Sequence, residues 1–480
     1  MLPTVFDPSM TKARLMEISE SIKWIDDRIF AKTGKRLDSL QISILEATSR
    51  GQKYPQIAET YNFSNDHIRK AAWKLWKLLS DVLGEPVSQS NFRTLVQRGF
   101  FSNSNNYIVN SNNLNFCSDR YHPEVTKARS PTSSQPSPDT PTEPQINLDD
   151  APAILTCYSR TTELNTLEHW IVQDRCRIVE LLGMSGIGKT ALSLGLIDQI
   201  KTNFDYIIYQ TLCFSPTLET TLTNLLENFG KPTEIPQQLE SKISQIFKYL
   251  RPHRCLIILD DVQMLFSPGK LAGEYQPSLE NYPLFFKRIA EIEHSSCFLL
   301  ISAEQLQEFT QLKKGDRSVR SLLLGGLGIA AKKILKQYEL SDENQWEKLI
   351  NLYQGNPLWL EMTAMMIQDL FAGNVADFLE YKSLIICDAL KAAIQRQWQR
   401  LTPQEQAIMI EFTALDAPVS LPQLGQKLNL ADSDLLNGVK SLRRRLFLAD
   451  IQREKQRLFQ LNPVYQQYLK EQNPEICERS

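Results

Sequence analysis

The stretch Arg177–Ile197, RIVELLGMSGIGKTALSLGLI, limits what this chain can fold into more than any other segment. Its first half is apolar and β-branched (Ile178, Val179, Leu181, Leu182), the composition of a strand buried on both faces, and it breaks at Gly183. Beyond the break Ala191, Leu192, Leu194, Leu196 and Ile197 recur at helical spacing. Strand, glycine-rich loop and helix in that order predict an α/β sheet with the loop at its carboxyl edge.

The loop itself reads GMSGIGKT, a full G-x-x-x-x-G-K-T pattern. Gly183, Gly186 and Gly188 permit positive φ and close backbone approach, so that successive N–H groups of Gly183, Met184, Ser185, Gly186, Ile187, Gly188, Lys189, Thr190 and Ala191 can converge on an anion beside a helix N-terminus. Lys189 is then expected on the β- and γ-phosphates and the Thr190 hydroxyl on Mg²⁺. Nucleotide binding follows as the first functional expectation.

A second apolar run, CLIILDD (Cys255–Asp261), ends in two acids about 70 residues later. At the carboxyl edge of a parallel sheet, beside a phosphate loop, such acids complete a Mg²⁺ shell and orient water. Asp260 is the metal-side candidate and Asp261 the water-side or base candidate, so the expected catalytic set is Lys189, Asp260 and Asp261. The runs CFLLIS (Cys297–Ser302) and SLLLGGL (Ser321–Leu327) supply further strands, and the alternation of β and α predicts a doubly wound sheet.

A 480-residue chain with 42% apolar residues can hold several cores. The net charge of −2 gives no global pull toward nucleic acid or anionic membrane. Eight cysteines are scattered without C-x-x-C pairs, as expected of reduced thiols in a cytosolic protein. No signal-peptide pattern and no apolar run of about 18 residues is present, which predicts a soluble cytoplasmic protein with no membrane partner.

The first hundred residues are helical in pattern. YPQIAETY (Tyr54–Tyr61), a turn at Asn62-Phe63 and a long helix capped by Ser64 form a helix-turn-helix arrangement. The long helix is expected to bury Ile68, Ala72, Leu75 and Leu79 and to present His67, Arg69, Lys70, Lys74 and Lys77, with Trp73 and Trp76 packed against neighbouring helices. His67, Arg69, Lys70 and Lys74 are candidate DNA contacts, and a solvated face of a protein-binding module is the competing reading. Residues 101–153 contain SNSNNYIVNSNN and SPTSSQPSPDTPTEPQ, compositions expected of a disordered linker.

Past Gly328 helices dominate, and GNPLWL interrupts them at Gly355 and Pro357 before a new helix. From Cys387 the pattern gives a capping box at Thr402–Glu405, a second cap at Ser420, a helix over 432–445 and strands over 447–451 and 457–461, the outline of a winged helix. Arg443, Arg444 and Arg445 could meet DNA, or complement the helix dipole while the domain packs on the nucleotide module.

In this order the pieces resemble the NB-ARC branch of the STAND signal-transduction ATPases over roughly 155–470, and residues 15–97 resemble the N-terminal helix-turn-helix domain of vWA-MoxR-associated proteins. YSRTTEL (158–164) is similar to the GRxxEL motif, GMSGIGKT to Walker A, LIILDD to Walker B and GNPLWL to the Gly-x-Pro motif. The resemblance implies that Arg160 belongs to the nucleotide site, that Pro357 lies against the adenine, and that ATP or ADP with Mg²⁺ is the ligand. Two departures stand out: Ser302-Ala303-Glu304 places an acid where the family has a γ-phosphate-sensing Arg, and Leu461-Asn462-Pro463 lacks the His near the β-phosphate. The sensor repeats usual in the family do not follow, so input is expected by another route.

The expected organisation is a helix-turn-helix domain (1–100), a linker (101–153), a P-loop NTPase domain (154–327), a helical subdomain (328–386) and a winged helix (387–480). The expected function is a slowly hydrolysing ATP/ADP switch that controls homo-oligomerisation, with output to DNA or a protein partner; the alternative is a DNA-binding regulator or adaptor that holds nucleotide structurally.

Overall fold

The computed structural model describes residues 143–152, 158, 160–229, 235–312, 318–381, 383–415, 417–428, 430–453 and 456–473. Before these it describes the helices Ser39–Ser49 and Asn65–Leu83 and single positions between 22 and 92. The chain divides into two units, Met1–Thr142 and Glu143–Ser480.

In the first unit the Asn65–Leu83 helix buries Ile68, Ala72, Leu75, Trp76 and Leu79 in one cluster with Ile44, Leu45 and Ile57. Apolar residues three and four apart share one helix face, and Arg69, Lys70, Lys74 and Lys77 are exposed on the other. Trp76 donates from Nε1 to the Tyr54 hydroxyl at 2.7 Å. Trp73 departs from the sequence expectation and is 64% exposed. Position 73 is four residues from both Arg69 and Lys77 and so lies on their face, where the Lys77 ammonium sits 5.5 Å from its ring centre. The His67 side chain, the turn at Asn62-Phe63 and the stretch 102–142 lie outside the described residues.

The second unit is built on a six-stranded parallel sheet. Its strands are β1 (Gln145–Asn147), β2 (Ile178–Gly183), β3 (Tyr206–Thr211), β4 (Cys255–Asp260), β5 (Cys297–Ser302) and β6 (Val319–Leu324), in the order β1-β3-β4-β5-β2-β6. Every residue of β2, β4 and β5 is buried, because helices cover both faces. One face carries Leu192, Leu196 and Ile200 of the Lys189–Ile200 helix, and the other packs Leu222, Ile246 and Phe285 from three further helices.

β1 falls inside the stretch expected to be linker. It pairs with β3 from Gln145↔Tyr206 to Asn147↔Ile208. An edge strand of three residues is held by main-chain hydrogen bonds, and its mostly exposed side chains leave no apolar pattern to read.

After β6 the chain is helical, with Tyr353 and Trp359 among its largest fully buried side chains. The Pro403–Thr413 helix opens with the expected reciprocal cap between Thr402 and Glu405. The Asp432–Arg444 helix leads into an antiparallel hairpin, β7 (Leu448–Arg453) and β8 (Gln456–Leu461), and the Pro463–Gln472 helix follows. One hydrophobic cluster runs from Leu327 through Trp359, Ile408 and Phe447 to Leu469, so these helices and the hairpin share a core.

The link from β6 to this core is tight. The Leu327 amide donates to the Gly355 carbonyl at 2.9 Å, and a Cβ on Gly326 would stand 2.0 Å from the Gln354 carbonyl oxygen. Gly326→Ala is therefore expected to destabilise the protein by about 1–3 kcal/mol, measured by urea unfolding, because a main-chain atom must move to admit the methyl group.

Candidate nucleotide-binding site

The phosphate-loop pattern lies where β2 ends. β2 is flanked in parallel register by β5 and β6, which pins Gly183 opposite Leu324 and fixes where the loop starts. Gly186 and Gly188 have φ of 78° and 97°, so both need the freedom that only glycine has without strain. A Cβ on Gly188 would meet nothing within 4 Å, which leaves that main chain open to approach; one on Gly186 would stand 2.5 Å from the Leu358 Cβ. The open backbone at the start of the Lys189–Ile200 helix fits a bound phosphate.

Lys189 Nζ donates to the Gly183 and Met184 carbonyls at 2.9 and 3.1 Å, which holds the ammonium over the loop. Burial pushes its pKa down, and the nearby Asp260 and Asp261 carboxylates oppose that shift.

Thr190 Oγ1 donates to Asp260 Oδ2 at 2.6 Å, joining the first turn of this helix to the end of β4. Asp260 Oδ1 accepts from the Asp261 amide at 2.7 Å. Asp261 holds a left-handed φ of 59°, unusual for a residue other than glycine. Its pKa is pushed up to about 6, by burial first and then by Asp260. Gln263 links Asp261 to the end of β5: its Nε2 donates to Asp261 Oδ1 at 2.8 Å and its Oε1 accepts from the Ala303 amide at 3.0 Å. Among the described residues no group of three or more His, Cys, Asp or Glu side chains could hold a metal by itself. A single hydroxyl and a single carboxylate are hard oxygen donors, and they fit Mg²⁺, which takes few protein ligands beside phosphate oxygens and water.

Three other segments touch the loop. Buried Arg160 donates from Nη2 to the Ile187 carbonyl at 2.8 Å and pairs through Nη1 with Glu163 at 3.0 Å. Pro357 is buried at the first position of the Pro357–Phe371 helix. The residue before it, Asn356, caps that helix and donates from Nδ2 to the Ser185 carbonyl at 3.0 Å, while the Leu358 amide donates to the Gly186 carbonyl at 3.3 Å. Sequence reasoning named Pro357 and missed Asn356, although an Asn directly before a Pro at a helix start carries an N-cap signal. Asn462, at the position where the family resemblance places a His, donates from Nδ2 to the Met184 sulfur at 3.7 Å.

Glu304 is 3% exposed. Its Oε1 accepts from the Gly273 amide at 2.7 Å and its Oε2 lies 3.5 Å from Arg445 Nη1. Arg445 Nε lies 3.2 Å from Glu405 Oε1 without hydrogen-bond alignment, and Nη2 donates to the Lys270 carbonyl at 2.6 Å. All three charged side chains are at most 5% exposed. Burial raises the Glu304 pKa, with Arg445 and Arg400 opposing. Arg400 donates from Nη2 to the Gln263 carbonyl at 2.8 Å, and the Ala272 amide donates to Ser441 Oγ at 2.7 Å. Of the arginines expected to face DNA or pack inward, Arg443 pairs with Asp450 and Arg444 donates to the Ala272 carbonyl.

Residues 160–265 match the NB-ARC domain family, and residues 16–99 match the vWA-MoxR associated protein N-terminal HTH. An uncharacterized WD repeat-containing protein of Nostoc sp. is 35% identical over 320 residues, 63% of this chain and 25% of that protein, so the chain spans about a quarter of this curated relative. The Walker-type ATPase of Pyrococcus abyssi aligns in structure with a TM-score of 0.46 at 14% identity, over 68% of this chain and 98% of that one. A STAND protein with a tetratricopeptide repeat sensor from Pyrococcus horikoshii aligns with a TM-score of 0.29 at 14% identity, over 68% of this chain and 45% of that one. No helix among the described residues is long and apolar enough to cross a membrane.

Arg445→Ala leaves two buried carboxylates without their cation, and the expected loss is about 3–5 kcal/mol in urea unfolding. The triple change Arg445→Met, Glu304→Gln, Glu405→Gln should recover most of it. A triple variant as unstable as the single one would contradict the assignment of that loss to unpaired charge.

Proposed function

We propose that this chain, whose core is an NB-ARC-type nucleotide-binding domain of the STAND class joined to a vWA-MoxR-associated helix-turn-helix, is an ATP/ADP-dependent switch. The working division is a helix-turn-helix module, a linker, a P-loop module over 154–327, a helical subdomain over 328–386 and a winged helix over 387–480. Nucleotide would be held by loop amides of 183–191, Lys189, Arg160 and Pro357, and Mg²⁺ by Thr190 and Asp260. A bound Mg²⁺ would supply charge neutralisation between the β- and γ-phosphates. Asp261 would orient water or accept its proton, and the slow hydrolysis we expect suits a device that works by occupancy.

The observation that carries this reading is the buried contact of Arg445 with Glu304 and Glu405. It joins the end of β5, next to the phosphate loop, to the helices after residue 400. Through Arg400 and Gln263 the same contact reaches Asp261. In this reading the network is either joined, as here, or parted, and a ligand that prefers one arrangement shifts the population. In our reading ADP favours the joined state and ATP with Mg²⁺ a parted one that self-associates.

A second reading, a DNA-binding regulator that holds nucleotide structurally, draws on the exposed face of Arg69, Lys70, Trp73, Lys74 and Lys77. In a switch that face would be the output, to DNA or to a protein.

Sizing by light scattering should give a smaller species with ADP and a larger one with a non-hydrolysable ATP analogue and Mg²⁺. Lys189→Ala should weaken nucleotide binding about 10–100-fold, as expected for losing one charged hydrogen-bond donor, and should remain small with either nucleotide. Nucleotide-independent size in the wild type would leave only the second reading.

A further inference from the structure

β3 is a short strand buried along its middle, yet its Tyr209 carries a polar atom to the metal side of the site. Tyr209 pairs in register with Ile258 on β4, and Asp260, two residues further on, lies on the same face of the sheet as Ile258. The phenol is long enough to cover that step, and its hydroxyl donates to Asp260 Oδ2 at 2.7 Å. The ring is 3% exposed, packed in the cluster that holds Ile207, Leu256, Ile258 and Leu192. A Tyr held this way has no rotamer to spare, so its hydroxyl has one place to go.

Asp260 Oδ2 thus accepts from two hydroxyls, Thr190 at 2.6 Å and Tyr209 at 2.7 Å, and Oδ1 accepts from the Asp261 amide. Thr190 is the hydroxyl expected on Mg²⁺. When its oxygen is given to a cation, the Tyr209 hydroxyl and the Asp261 amide are what keep the carboxylate in place.

We infer that Tyr209 is a positioning residue for the metal side of the site: it holds Asp260 in one rotamer beside Thr190, and so sets how strongly Mg²⁺ adds to nucleotide affinity. This rests on the nucleotide reading given above and deepens it. Tyr209 touches neither nucleotide nor metal; it acts through Asp260.

Tyr209→Phe removes one oxygen and keeps the ring. Calorimetric titration with ADP and with a non-hydrolysable ATP analogue, first in EDTA and then across a Mg²⁺ series, separates the two roles. In EDTA the Phe variant should bind within about twofold of wild type. The Mg²⁺ concentration giving half of the affinity gain should rise about tenfold, as expected for losing one hydrogen bond to a charged group. In an Asp260→Asn background the Phe change should add nothing, since its effect passes through that carboxylate. An unchanged Mg²⁺ series, an equal loss in EDTA, or a Phe variant that no longer unfolds cooperatively would each overturn the inference. A wild-type protein that ignores both nucleotides would overturn the nucleotide reading itself.

Discussion

The hydrogen bond from Thr190 to Asp260 is the contact on which the site depends. It joins the helix that follows the phosphate loop to the acidic end of β4. β5 lies between β2 and β4 in the sheet, so the two halves of the site never pair directly. What holds them at a hydroxyl-to-carboxylate distance is the register of a parallel sheet buried on both faces, where a slip of one residue would move every side chain into the packing on the opposite face. Leu182 opposite Ser302 and Leu259 opposite Leu300 are the rungs that set this distance.

Around that pair the molecule places polar groups in surroundings that would penalise them if unpaired. Glu180 is fully buried in β2 and accepts from the Leu306 amide and from Ser321 Oγ. Glu405 is fully buried, caps its own helix through Oε2 and accepts from Ser441 Oγ through Oε1. Charges so placed contribute little net stability over apolar residues of the same volume, but leaving one unpaired costs several kcal/mol.

Much of the architecture could be read from short-range pattern. The cap at Thr402, the β7–β8 hairpin and the buried face of Asn65–Leu83 follow from spacing of three, four or two residues and from turn chemistry. β1 was missed because an exposed edge strand has no side-chain pattern, and Trp73 was misjudged because residue type was given more weight than helical phase. In the site, Lys189, Thr190 and Asp260 were legible because loop and strand motifs name them. Asn356, Gln263 and Tyr209 were not, since each acts on a partner 40 to 171 positions away that no local rule selects.

The sequence alone determined the strand–loop–helix unit at 177–197, the acids at 260 and 261 and the run of helices past Gly328 with its late hairpin, because each depends on neighbours within one or two turns. Only the tertiary structure decided where Glu304 points. An acid stands where the family resemblance places a phosphate-sensing Arg, and the arrival of Arg445 from 141 positions along the chain gives that acid a buried cation as partner. The reason is physical: a backbone pattern is encoded in consecutive residues, whereas the partner of a buried charge is chosen by whichever opposite charge the completed fold brings within a few ångströms in a place without water.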